Sequence, residues 1–294
     1  MSQGKHRERP PTEVTPLLSG TPYRAVRFLG RGGMGEVWMV EHQTMRRRFA
    51  LKILHARLKR FADRMRVEAE TMGRLSHPNV VEVIDFWIAA DGRSCVVMEL
   101  LQGRTLWDEL TDSVRMSVSD ALPITRQILS ALSAAHALGV VHRDIKPENL
   151  FLHQLPGAGR VLKVLDFGLA RILPQRPAGA PQPPEIPTAT GAIVGSSRCM
   201  SPEAARGERV DARADLFSVG VVLYMMLVGE GPYDFHVHPQ PPSLVLGQDL
   251  PVAVDELVVR SVQKAPDKRY QSADEFLKAL SPLIAQSKRM SSTP

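Results

Sequence analysis

Cysteine is nearly missing from this chain: Cys95 and Cys199 are the whole supply in 294 residues. No metal-ligand spacing surrounds either one, and a disulfide between positions so far apart cannot be argued from sequence. A reducing, cytoplasmic setting is therefore expected. A secretion signal is missing as well, because the opening residues Met1 to Pro11 have no apolar core. The longest apolar run, Val219 to Val228, is too short to cross a bilayer, so no membrane segment is expected here and any anchor is expected outside this chain. No fixed-period repeat appears, which leaves out stacked-repeat architectures. Charge of one sign is not in large excess either, at a formal +6. The basic residues do cluster (Arg46, Arg47, Arg48, then Arg57, Lys59, Arg60, Arg64 and Arg66). A solvated face that also attracts an anionic ligand is favoured over a nucleic-acid surface, and no nucleic acid is expected as a partner.

What is there fits a globular protein: 44% hydrophobic and 23% charged residues, with length enough for one large core or two smaller ones. Residues 1 to about 20 are polar and proline-rich and read as a flexible tail. Tyr23 to Val40 reads as strand, glycine turn, strand; Phe49 to Leu54 as a third strand; and Val80–Phe86 and Ser94–Leu100 as two more. Residues 60 to 75 carry a helical stripe of Met65, Ala69, Met72 and Leu75. Five strands and one helix thus make a small first lobe. After Gly103 the pattern turns helical. Ser117 and Asp120 resemble a capping box ahead of a stripe formed by Ala121, Ile124, Ile128, Leu132 and Ala135. Pro123 is expected to delay or kink that helix, since an interior proline loses a backbone bond. Further helices are expected over 213–229, 253–264 and about 272–286. The stretch from Leu173 to Pro187 is proline-rich, and is read as a regulatory lid rather than a plain linker because it follows Asp166-Phe167-Gly168.

The densest chemistry lies in His142-Arg143-Asp144-Ile145-Lys146-Pro147-Glu148-Asn149, followed by Asp166-Phe167-Gly168. A carboxylate within reach of a hydroxyl can accept its proton, and Asp144 is the candidate base. Lys146 adds positive charge where charge shifts during transfer of a phosphoryl group. Asn149 offers a neutral oxygen and Asp166 a charged one, a pair suited to Mg²⁺. Gly30-Arg31-Gly32-Gly33-Met34-Gly35 fits G-x-G-x-x-G, which alone is weak. In a dinucleotide fold these glycines would open a helix, whereas here Glu36 and Val37 continue as a strand. A glycine-tipped hairpin lets backbone N–H groups close over phosphates. Lys52, mid-strand among apolar neighbours, is the natural cation for the α- and β-phosphates. Its expected partner is Glu68, with Glu70 the competitor on a different helix face.

Taken together, these residues resemble the eukaryotic-like (Hanks-type) protein kinase family, in particular its bacterial serine/threonine members. The likeness runs from about Tyr23 to Ile284. It includes the glycine loop, Ala50-Leu51-Lys52, His142-Arg143-Asp144, Lys146 to Asn149, Asp166-Phe167-Gly168, and Ser201-Pro202-Glu203. The resemblance implies an α+β, bilobal fold with a small antiparallel-sheet N-lobe (about 21–99) bearing one main helix. A larger, mostly helical C-lobe (about 100–286) and a tail over 287–294 complete it. It implies ATP and Mg²⁺, with Mn²⁺ as an alternative ion, and transfer of the γ-phosphoryl group to serine or threonine of protein substrates. The nucleotide set it implies is Leu29, Gly30, Arg31, Gly32, Gly33, Met34, Gly35, Glu36, Val37, Ala50, Lys52, Met98, Glu99, Leu101, Asn149 and Asp166, with Met98 as gatekeeper. Lys52, Glu68, Asp144 and Lys146 form the catalytic set, and Asn149 and Asp166 the metal ligands.

By the same resemblance Asp215 holds the catalytic loop, Arg269 pairs with Glu203, and Ser196 bridges the base and the lysine. Thr188 and Thr190 fall where bacterial members autophosphorylate, with self-association as the route. A phosphate there would meet Arg143 and order the lid. Cys199, where the family has an aromatic residue, and the short stretch 233–250 depart from the pattern and leave substrate choice open. A nucleotide-binding scaffold without transfer and a small-molecule phosphotransferase are the competing readings. Lys52, Asp144 and Asp166 together argue against the first, and Ser201-Pro202-Glu203 with Lys146-Pro147 against the second.

Overall fold

The computed structural model describes residues 11–113, 115–157, 159–167, 198–229, 240–248 and 250–291. They divide into two compact units. One runs up to Ser76 and includes Val81–Gln102; the other takes His77–Val80 and the described residues from Gly103 onward.

The first unit is an antiparallel sheet of β1 (Tyr23–Arg31), β2 (Gly35–His42), β3 (Arg48–Leu54), β4 (Val83–Ile88) and β5 (Ser94–Glu99), in the order β1-β2-β3-β5-β4. Its core gathers Tyr23, Trp38, Val40, Phe49, Leu51, Ile53, Cys95 and Val97. Alternation of these apolar positions along each strand puts them on one face, which pins the register, because a one-residue slip would expose the whole set. Helix α1 (Ala62–Gly73) follows a 3-10 turn over Ala56–Phe61. The first residues correct an expectation. Residues 11 to 18, read as tail, form two 3-10 turns that bury Val14, Leu17 and Leu18 in this core. The Leu17 carbonyl also accepts from Trp87 Nε1 at 3.0 Å. Three apolar side chains without helical or strand period carried too weak a signal to show this.

The second unit begins with β6 (Gly103–Thr105) and α2 (Leu106–Asp112), whose cap is a full capping box of Thr105 and Asp108. Helix α3 (Val118–Ala137) is capped by Ser117, which accepts from the Asp120 N–H. It starts at Val118 and runs through Pro123 without the delay its proline predicts. The Ser117 side chain, accepting from the Asp120 N–H, starts the helix ahead of the proline, which then costs one backbone bond. Strands β7 (Leu150–Leu155) and β8 (Gly159–Val164) complete an antiparallel β6-β7-β8 sheet. Val80, expected in a strand of the first unit, instead bridges to Val164 here.

Helices α4 (Pro202–Ala205), α5 (Ala212–Val228), α6 (Pro242–Leu246), α7 (Val252–Ser261) and α8 (Ala273–Ser291) follow. The last runs five residues beyond its expected end at 286. Every residue of α5 from Ala214 to Val228 is buried, as an all-round apolar helix must be. Each Val, Leu or Met so buried contributes about 1.5–3 kcal/mol. This helix is therefore a rigid post, and it carries Asp215.

Candidate active site

In the first unit the strands place the predicted nucleotide set by register. Leu29, Gly30 and Arg31 end β1; Gly32, Gly33 and Met34 form the turn; Gly35, Glu36 and Val37 open β2. Register shifts between Ala25 and Arg27 and between Phe28 and Gly30 bend β1 just before that turn. A Cβ built on Gly30, Gly32 or Gly33 would meet nothing within 4 Å, so the protein itself leaves room there for a ligand to approach the backbone. Gly35 differs: its Cβ would lie 2.2 Å from the Ile53 carbonyl oxygen, so it is a packing glycine required by β3.

Lys52 is buried on β3, opposite Val37 on β2 and Val96 on β5. Ala50 pairs with Met98, and Glu99 is tied to Glu82 by two bonds: its N–H donates to the Glu82 carbonyl at 3.0 Å, and its Oε1 accepts from the Glu82 N–H at 2.9 Å. Leu101 lies two residues beyond the end of β5. Glu68 lies on α1, but its side chain falls outside the described residues.

In the second unit a polar network holds the predicted catalytic groups. Asp215 is buried on α5 and accepts from the backbone N–H groups of His142 (2.8 Å) and Arg143 (2.7 Å) and from His136 Nε2 (2.9 Å). Three donors satisfy a carboxylate that would otherwise be expensive to bury. His142 Nδ1 accepts from the Asp144 N–H at 3.2 Å, so its Nε2 donates to the Leu165 carbonyl at 2.7 Å. The same ring meets Phe167 edge-on, with centroids 4.6 Å apart.

This lattice enforces two unusual backbone conformations, Arg143 at φ 68 and Asp166 at φ 59. Left-handed non-glycine residues cost of the order of 1–3 kcal/mol, and they persist where surroundings over-determine them. Arg143 is fixed through its N–H. Asp166 sits between Leu165, bonded through both its N–H (to Asn149 O, 2.9 Å) and its carbonyl, and the buried Phe167.

Asp144 lies in the loop so suspended. Its carboxylate accepts from Lys146 Nζ at 3.0 and 2.8 Å and from Asn149 Nδ2 at 3.0 Å, and its side chain keeps 23% of its surface exposed. Asn149 Nδ2 also donates to the Asp144 carbonyl at 2.7 Å. That fixes the amide with its nitrogen toward the loop. Burial raises the Glu148 pKa between these two residues, against the pull of Lys146 and Arg198. Burial also pushes both thiols, Cys95 and Cys199, up to about 12, which makes them inert packing groups. Among the described residues no three His, Cys, Asp or Glu side chains gather to hold an ion. One amide oxygen and one carboxylate, Asn149 and Asp166, are the sparse oxygen set that suits Mg²⁺ completed by phosphate oxygens.

Further out, Arg269 and Glu203 form a bidentate pair at 2.7 and 2.7 Å, the arginine side chain fully buried. Its remaining donors go to the carbonyls of Gln263, Lys264 and Arg213, and its guanidinium lies over the Phe217 ring. Gly168, Thr188, Thr190 and Ser196 lie outside the described residues.

Sequence reasoning missed His136, whose bond to Asp215 spans 79 residues. It also missed Asn79, buried where its Nδ2 reaches Gln127 Oε1 and the Leu162 carbonyl and its own carbonyl takes the Val164 N–H. The one available cue was an asparagine set directly before the apolar pair Val80-Val81.

The second unit thus holds Asp144, Lys146 and Asn149 on one bonded loop, and the first unit carries the open glycine hairpin. The chain belongs to the protein kinase family: the sequence model of the protein kinase domain matches residues 23–292. It is 35% identical over 282 residues to the serine/threonine-protein kinase Pkn1 of Myxococcus xanthus, covering 92% of this chain and 39% of that protein. Against the serine/threonine-protein kinase PknB of Mycobacterium leprae it is 35% identical over 279 residues, covering 90% and 43%. The crystal structure of the Mycobacterium tuberculosis PknI kinase domain is similar, with a TM-score of 0.71 and 27% identity, over 91% of this chain and 98% of that one. The chain thus spans 32% to 52% of three Myxococcus kinases it matches. No helix among the described residues is long and apolar enough to cross a membrane.

Proposed function

We propose that this chain is the catalytic domain of a serine/threonine protein kinase acting in the cytoplasm, with boundaries near residues 21 and 286. It takes the γ-phosphoryl group of ATP, with Mg²⁺ or Mn²⁺, to serine and threonine hydroxyls of protein substrates. The glycine turn and Lys52 hold the phosphates, Met98 to Leu101 the adenine, and Glu68 braces Lys52. Asp144 accepts a hydrogen bond from the substrate hydroxyl and takes its proton as the oxygen attacks. Lys146 orients that carboxylate and supplies positive charge beside it. Nucleotide and metal bring the transferable group and neutralise its oxygens; Asn149 and Asp166 are the oxygens that hold the ion.

The observation that carries this reading is the geometry of Asp144, oriented by both Lys146 and Asn149 in a loop hung from Asp215. Replacing Asp144 with asparagine should lower autophosphorylation by at least ~10³-fold, on the scale of losing a base in phosphoryl transfer, and leave ATP affinity within about twofold. Retained transfer, measured by mass spectrometry after incubation with Mg-ATP, would refute the assignment.

Regulation is proposed to run through Thr188 and Thr190, phosphorylated in trans by a second copy. Arg143 favours this: its Nε is buried and has no hydrogen-bond partner among the described residues, a donor suited to a phosphate. The Thr188→Ala/Thr190→Ala pair should reduce activity about tenfold or more, the scale of one charge-assisted contact. Unchanged rates with no phosphate on either residue would exclude it.

A further inference from the structure

Three successive carbonyl oxygens of the turn between β1 and β2 are held by one short stretch of chain. The Gly32 carbonyl bonds to His55 Nε2 at 3.3 Å, the Gly33 carbonyl accepts from Arg57 Nη2, and the Met34 carbonyl accepts from the His55 backbone N–H at 2.9 Å. His55 follows β3 directly, and Arg57 sits in the 3-10 turn that leads to α1. These contacts fix a direction. The peptide bonds here are trans, and in a trans peptide the N–H of one residue points opposite to the carbonyl of the residue before it. With the carbonyls of Gly32, Gly33 and Met34 turned toward residues 55–57, the N–H groups of Gly33, Met34 and Gly35 are turned away from them. A run of amides facing one way is an anion-binding concavity. The open space that a Cβ on Gly32 or Gly33 would enter leaves the backbone approachable there.

We propose that His55 and Arg57 are positioning residues for nucleotide phosphates. They anchor the carbonyl side of the glycine turn, and so present its amides before nucleotide arrives. The proposal rests on the nucleotide-binding reading of that turn and deepens it. Neither residue touches the phosphates; each acts through the peptide planes it holds. The advantage is preorganisation, since a tip left to itself must be ordered at the moment of binding.

The test uses the full chain with His55→Ala, Arg57→Ala and the double substitution. Two readouts are taken: calorimetric affinity for ATP and for adenosine, and backbone amide order parameters of Gly33, Met34 and Gly35 in nucleotide-free protein. Each single variant should weaken ATP binding about three- to tenfold, the loss of one ordinary hydrogen bond, while adenosine binding is unchanged. The order parameters should fall from about 0.85 toward 0.6 in the double variant. Arg57→Lys, which keeps a donor on a long stem, should recover most of the ATP affinity.

Equal losses for ATP and adenosine would mean a general structural role and overturn the proposal. So would weaker ATP binding with unchanged order parameters, which would make Arg57 a direct charge on the phosphate, or no loss at all. If the unsubstituted chain bound neither ligand, the nucleotide reading would fall and this proposal with it, an outcome distinct from the other three.

Discussion

Lys52 in the first unit is a buried charged group and Asp144 in the second a partly exposed one, and they are held by different means. Lys52 takes its place from strand register: the pairings to Val37 and Val96 leave it one position, whatever its own side chain does. Asp144 takes its place from a chain of side-chain hydrogen bonds, Asp215 to the loop backbone, His142 to Leu165, Asn149 back to Asp144. Register is cooperative and redundant, because each pair of strands repeats the same constraint. A polar network is specific and brittle, because a missing member leaves a buried partner unsatisfied. Function therefore tolerates sequence change differently in the two units. The sheet can absorb apolar exchanges of similar volume, whereas Asp215, His136 and Arg269 have few substitutes.

The sharpest way to break this contrast is Arg269→Ala. The substitution strips Glu203, 5% exposed, of both guanidinium bonds and should destabilise the protein by about 3–5 kcal/mol. Acid titration sharpens it. Burial pushes the Glu203 pKa up, but the Arg269 bonds outweigh burial and the net pKa lies below the ordinary 4.5. A depressed folded-state value means that this carboxylate's stabilisation is fully present above pH 4.5 and disappears as pH falls through the folded pKa. In the variant burial, the largest influence, is opposed only by the Glu203 backbone N–H and Ser201, so the pKa rises relative to the parent and protonation relieves part of the penalty. The stability gap between the two proteins should consequently narrow from pH 7 toward pH 4 in chemical denaturation. A gap that stays constant with pH would show that the pair contributes packing and not charge.

The two kinds of support also explain what the sequence made legible. Strand alternation around Lys52, the glycine hairpin and the segment from His142 to Asn149 are local, and local patterns can be read from neighbours alone. The pairing of Arg269 with Glu203, across 66 residues, was reached only through family resemblance. Nothing local marks His136 or Asn79, whose partners lie 79 and 83 residues away. Val14, Leu17 and Leu18 were hidden by a polar, proline-rich surround although the sheet buries all three. Pro123 misled in one respect: the helix does not start late, because the Ser117 cap begins it five residues before the proline.

The glycines of the first unit offer the finer test, since one motif contains both a packing glycine and open ones. Gly35→Ala would set a methyl 2.2 Å from the Ile53 carbonyl, against backbone that cannot rotate away, and so must push β2 off β3 beside Lys52. Overpacking of this kind costs about 1–3 kcal/mol. Gly30→Ala meets nothing within 4 Å and has no positive φ to strain, so stability should stay within about 0.5 kcal/mol. On the proposed nucleotide reading its effect should instead fall on ATP affinity, because the methyl enters the open space beside the backbone. Thermal melting and ATP titration of the two variants should thus give opposite rankings. Were Gly30→Ala to lose stability and Gly35→Ala to keep it, strand register would not be what positions the residues around Lys52. Lys52 would then depend, like Asp144, on bonds made by its own side chain.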